Sequence, residues 1–141
     1  MATKKKAQNA LASVPMFEHL TKKQLATVAS HVTWTTRPEG TELVQQGGLA
    51  KQLLIIVEGT AKVVRGKRKI ADLKAGDIIG ELSLLDPEPA TASVTATSDV
   101  TLLVLSGADF FYLISNENNF AKNILRQVAK RLRDTDKQLV A

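Results

Sequence analysis

Residues 76–96 read GDIIGELSLLDPEPATASVTA. Two glycines, Gly76 and Gly80, open the stretch, and a turn rich in acids and prolines follows through Asp86, Pro87, Glu88 and Pro89. From Ala90 to Ser93 the side chains are small or carry a hydroxyl. Glycine frees the backbone for angles and close approaches that other residues resist. Acids flanking proline read as solvated turn residues, so Asp86 and Glu88 do not read as a working carboxylate pair. No lysine or arginine occurs from residue 75 to residue 121, a span that also carries Asp77, Glu81, Asp99, Asp109 and Glu117.

Around this loop lie short apolar runs punctuated by glycine. Gly40, Gly47 with Gly48, Gly59, Gly66 and Gly76 recur at intervals of 7 to 12 residues, a spacing that predicts an all-β sandwich or barrel. The unbroken run Leu53, Leu54, Ile55, Ile56, Val57 predicts a buried strand. A second strand follows over 60–65, Gly66 and Lys67 form a hairpin turn, and a third strand covers 69–73. Residues 100–105 give the last strong strand. An even number of short antiparallel strands favours a jelly roll.

The flanks change period. Residues 4–31 read helical, with Thr21 and Gln24 forming a capping box. Leu25, Val28, Ala29 and Val32 supply an apolar stripe. Between the helical parts, Val14, Pro15, Met16, Phe17 and Leu20 suggest a turn that buries Phe17. Beyond Gly107, residues 108–115 predict a short helix and 120–139 a longer one. The longer helix places Phe120, Ile124, Val128 and Leu132 on one face and Lys122, Arg126, Lys130, Arg133 and Lys137 on the other. The expected organisation is one mainly β domain over 1–141. It comprises a helical lead-in (1–31), an antiparallel roll (32–106) and a C-terminal helix pair (107–141).

Composition excludes several classes. A chain of 141 residues, 44% hydrophobic and 23% charged, suits one domain with a real core. No apolar run approaches the ~20 residues of a membrane span, and Lys4, Lys5 and Lys6 are not followed by a signal-peptide core. The absence of cysteine removes disulfides and cysteine zinc sites and suits a reducing cytoplasm. His19 and His31 lie apart from any carboxylate cluster, so no metal site is expected. The net charge of +5 gathers at the N-terminus, at 65–69 and in the last helix. With aromatics at 4% and no groove-reading motif, direct nucleic-acid binding is not expected. Nucleophile-elbow, Walker-loop and histidine-dyad patterns are absent, so neither catalysis nor a cofactor is expected.

The ordered set PMFEHL and TKKQL, RPEGTELVQQG, LLIIVEGTAKV, ADLKAGDIIGELSLL and a terminal helix pair resembles the cyclic nucleotide-binding superfamily from about residue 15 to residue 139. That superfamily includes the bacterial catabolite activators and the regulatory subunits of cyclic AMP-dependent kinase. The resemblance makes 76–96 the phosphate-binding cassette and implies cyclic AMP or cyclic GMP as ligand. Gly80 would let backbone approach the ligand. The free N–H groups of the short turn that follows, through Glu81, Leu82 and Ser83, would favour an anion. The resemblance gives Glu81 the ribose 2′-hydroxyl; read without it, Glu81 is an acid complementing a helix dipole. It gives Thr91 and the Ala92 N–H the phosphate, and has Val63 and Ile70 line the purine, positions equally suited to plain core. On the last helix it aligns Thr135 and Asp136 with base contacts, where solvent-facing or coiled-coil roles serve as well.

Ala90 occupies the place where the family carries an arginine. A guanidinium is a planar, permanently charged partner for phosphate. Losing that bond forfeits roughly 1.5–3 kcal/mol, about 10- to 150-fold in affinity. Arg65, Lys67 and Lys51 are the cations able to reach in from other strands. Two functions remain open: a sensor with weakened cyclic nucleotide affinity that signals through its C-terminal helix, or a ligand-free interaction module. The apolar face of that helix implies a protein partner or a homodimer. Catabolite activators continue into a helix-turn-helix. A complete chain ending at Ala141 would have no room for one and is expected to act on a partner; in a fragment, DNA binding would lie in the missing part.

Overall fold

The computed structural model describes residues 2–14, 17, 20–49, 51–80 and 89–140. The chain forms two compact units, residues 31–110 and residues 1–30 with 111–141.

The first unit is the roll. Its strands are β1 (Val32–Arg37), β2 (Glu42–Val44), β3 (Gln52–Glu58), β4 (Ala61–Arg65), β5 (Arg68–Leu73), β6 (Ile78–Ile79), β7 (Ser93–Ala96) and β8 (Val100–Ser106). They pair antiparallel into two four-stranded sheets, ordered β1-β8-β3-β6 and β2-β7-β4-β5. The apolar run of β3 is explained by its burial: Leu53, Leu54, Ile55 and Ile56 are all shielded, so both faces of the strand are covered. Leu54, Ile56, Ile79, Val100 and Leu102 from one sheet meet Ala61, Val94 and Ala96 from the other in a single core. Each large apolar side chain so buried contributes about 1.5–3 kcal/mol.

The hairpin expected at Gly66 and Lys67 joins β4 to β5, with Arg65 opposite Arg68 and Gly66 at φ +62°. Its ladder slips by one residue, since Val63 pairs with Ala71 but Val64 with Lys69. Ile70 is the extra residue of this bulge and stands 48% exposed. At the β3–β4 turn, Gly59 has φ +99°, and a Cβ there would overlap the Asp99 carbonyl oxygen and lie 2.8 Å from Val100 Cγ1. Only glycine fits this approach of two chain segments.

The second unit contains α1 (Ala2–Ala12) and α2 (Lys22–Ala29). It also holds most of α3 (Gly107–Asn116) and all of α4 (Asn118–Val140). The capping box starts α2 as the sequence implies: Gln24 N donates to Thr21 Oγ1 at 3.1 Å and Thr21 N to Gln24 Oε1 at 2.9 Å. The helix ends sooner than its apolar stripe. Ser30 N closes the last turn onto Ala26 O at 3.1 Å, and Val32 enters β1 opposite Leu105. The β-branched run of VTWTTR favours the strand there. Phe17 is buried and stacks on Phe120 with ring centroids 5.6 Å apart. Ile124 is buried beside it in sequence phase, while Lys122, Arg126, Lys130 and Arg133 are exposed. The side chains of Val128, Leu132 and Lys137, and the residues Pro15 and Met16, lie outside the described residues.

Candidate ligand-binding site

The glycine-opened loop is anchored at both ends. At its entrance, Gly76 N donates to Ile56 O at 2.8 Å and Ile56 N to Asp77 O at 3.0 Å, while the Asp77 carboxylate accepts from Lys74 N at 2.8 Å. At its exit, Ala90 N donates to Gly48 O and Gly47 N to Ala90 O, each at 2.8 Å. Gly47 holds φ +86°, the left-handed conformation that lets the 45–48 turn present both groups. Gly80 has φ +104°, a backbone conformation that favours glycine.

A second network reaches the same exit. Gln46 N donates to Ser93 Oγ at 2.9 Å, and the Gln46 side-chain carbonyl accepts from Gly66 N at 3.0 Å. Arg65, at the end of β4, donates from Nε to Thr91 O at 3.3 Å. Two chain segments therefore converge on residues 90–93 of the loop: the 45–48 turn and the β4–β5 hairpin.

Of the residues expected at the site, Gly80, Ala90, Thr91 and Ala92 lie on this anchored loop. Thr91 is exposed, and Ala90 and Ala92 are half-buried. Val63 packs against the roll's core, whereas Ile70 is the exposed bulge residue. Glu81, Leu82 and Ser83 lie outside the described residues, as do the side chains of Thr135 and Asp136. Gln46, Gly47 and Gly48 join the site although the sequence does not mark them for it. They sit in the quoted stretch RPEGTELVQQG, where a paired glycine after two glutamines signals a tight turn but not its target. Of the three candidate cations, Arg65 is the one with a bond to the loop among the described residues. Lys51 lines a cavity of about 290 Å³ with Leu43, Val44, Gln45, Gly48, Leu49, Gln52 and Leu54. His31 does find a role: its Nδ1 lies 3.0 Å from Asp109 Oδ1. Asp109 N in turn bonds Ser106 Oγ at 3.1 Å at the start of α3. Among the described residues there is no cluster of three or more metal-ligating side chains, and no helix is long and apolar enough to cross a membrane.

The roll thus carries a glycine-opened loop held at both ends by backbone bonds, with small residues at its exit and a guanidinium beside them. The family model for the cyclic nucleotide-binding domain matches residues 35–117. The cyclic AMP receptor protein of Thermus thermophilus is 31% identical over 130 residues, covering 89% of this chain and 60% of that protein. A cyclic nucleotide-gated potassium channel of Rhizobium etli is 30% identical over 121 residues, 86% of this chain and 34% of the channel. The crystal structure of the Thermus thermophilus catabolite activator protein superposes with a TM-score of 0.82 at 32% identity, over 89% of this chain and 61% of that one. The chain belongs to the cyclic nucleotide-binding domain family, which is regulatory rather than catalytic. It spans about three fifths of the receptor protein's length and about one third of the channel's.

Proposed function

We propose that this chain is a sensor domain that binds cyclic AMP or cyclic GMP at the 76–96 loop and signals through its C-terminal helices. The observation that carries this reading is the loop held at both ends by backbone bonds, with Gly80, Thr91 and Ala92 in their expected order. The ligand contacts are Gly80, Glu81, Leu82, Ser83, Thr91 and Ala92, with Val63 and Ile70 toward the base and Thr135 and Asp136 from α4. With no guanidinium at position 90, the dissociation constant is micromolar or weaker unless a cation from another strand takes that place. Transmission has a covalent route, since α3 follows β8 directly and Gly107 N bonds Lys51 O at 2.9 Å, next to the 45–48 turn. The whole of 1–141 acts as one regulatory domain in the cytoplasm and assembles as a two-fold dimer through α4, on which Leu125 is 67% exposed.

Thermal melts with a panel of cyclic mononucleotides test the reading. At 100 times the dissociation constant, binding adds about 2.7 kcal/mol and raises Tm. No shift with millimolar cyclic AMP or cyclic GMP would replace the sensor with a ligand-free interaction module. Ala90 favours that second reading, because it removes the family's charged partner for phosphate.

A further inference from the structure

We propose that Arg65 supplies the guanidinium that position 90 lacks, so that the anion of the ligand is held from β4 rather than from the loop. The assignment rests on the reading of this loop as a cyclic phosphate site. Every residue from 75 to 121 lacks a cationic side chain, so a cation at the loop must come from another part of the fold. Arg65 does so: its Nε lies 3.3 Å from the carbonyl oxygen of Thr91, the residue next to Ala90. Among the described residues that bond uses one of the five N–H donors, and the terminal pair of nitrogens is the edge that can grip phosphate oxygens two at a time.

The arrangement is also preorganised. Gly66, adjacent to Arg65, is bonded to the Gln46 side chain, and Gln46 N is bonded to Ser93 Oγ. Both the root and the head of Arg65 are thus tied to 91–93, and Ala90 beside them is clamped to Gly47 and Gly48. Holding a long side chain at the site before binding removes part of the entropy cost of ordering it. Ala90 itself brings neither charge nor a long side chain to that place. Arg65 and Thr91 stand 26 positions apart, and the β4–β7 pairing of Val64 with Ser93 brings them together.

The test uses the full chain, with calorimetric titration of cyclic AMP and cyclic GMP into wild type, Arg65→Gln, Arg65→Lys and Lys67→Gln at two salt concentrations. Arg65→Gln is expected to weaken binding about 10-fold or more. Arg65→Lys, a point charge without the fork, falls between it and wild type, and Lys67→Gln matches wild type. Wild-type affinity drops with added salt, and Arg65→Gln flattens that dependence, which a merely structural role for Arg65 would not do. Wild-type affinity retained in Arg65→Gln overturns the assignment and leaves the sensor reading standing. Wild type binding neither nucleotide overturns both. Should Arg65→Gln fail to fold, by circular dichroism, the Arg65→Lys and salt comparisons decide the matter alone.

Discussion

Restoring an arginine at position 90 is the perturbation that most directly interrogates the loop. Ala90 already has a Cβ, and its backbone N and O are each bonded at 2.8 Å to the 45–48 turn, so Ala90→Arg extends a side chain without undoing an anchor. One charge-assisted bond to phosphate is worth about 1.5–3 kcal/mol, or roughly 10- to 150-fold. The new guanidinium would not arrive alone, because Arg65 is bonded to the adjacent residue. Two unit charges about 6 Å apart repel by about 0.7 kcal/mol at the dielectric of water and by about 2.8 kcal/mol at an effective value near 20. Both Arg65 and Thr91 are exposed, which favours the smaller figure. Ala90→Arg in wild type should therefore tighten cyclic AMP binding by roughly 4- to 50-fold, and in an Arg65→Gln background by the full 10- to 150-fold. Calorimetry on the four proteins of this double-mutant cycle yields a coupling of about 0.7 kcal/mol or more. Additivity within about 0.3 kcal/mol would show that residues 65 and 90 do not address one anion. No measurable binding in any of the four would show that the loop is not a phosphate cradle. Glu88 stands two positions before the new arginine in sequence, so Glu88→Gln accompanies the cycle.

Gly59→Ala should destabilise the roll by more than about 3 kcal/mol in urea unfolding, combining the ~1–2 kcal/mol of left-handed strain with displacement of a main-chain carbonyl. Gly66→Ala, whose new Cβ would meet nothing within 4 Å, should cost only the strain; equal losses at the two sites would refute the close-approach argument. Thr21→Ala should remove about 1 kcal/mol by undoing the capping box of α2, and an unchanged midpoint would deny that the box contributes. Sedimentation at micromolar protein should show a dimer that Val128→Asp dissociates; a monomer indifferent to that change removes the α4 interface.

Much of the fold is legible in local sequence because its determinants are neighbours. The Gly66–Lys67 turn, the Thr21–Gln24 box and the continuous β3 run each depend on residues a few positions apart, whose dihedral preferences and apolar period act before tertiary contacts form. The same holds for the order of Gly80, Ala90, Thr91 and Ala92, and for the lack of any lysine or arginine from 75 to 121. Val32 falls where a helical stripe and a β-branched run overlap, and pairing with Leu105 resolves the conflict in favour of the strand. Nothing local marks Ile70 as a bulge, because the slip exists only relative to β4. Nor can sequence choose among Lys51, Arg65 and Lys67, since reach depends on strand register. The β4–β7 ladder sets Val64 against Ser93 and so delivers Arg65 to Thr91, and the 45–48 turn meets Ala90 because β2 pairs with β7 in the same sheet. Local chemistry determined which elements form; the long-range hydrogen-bond register decided which side chains meet at the site.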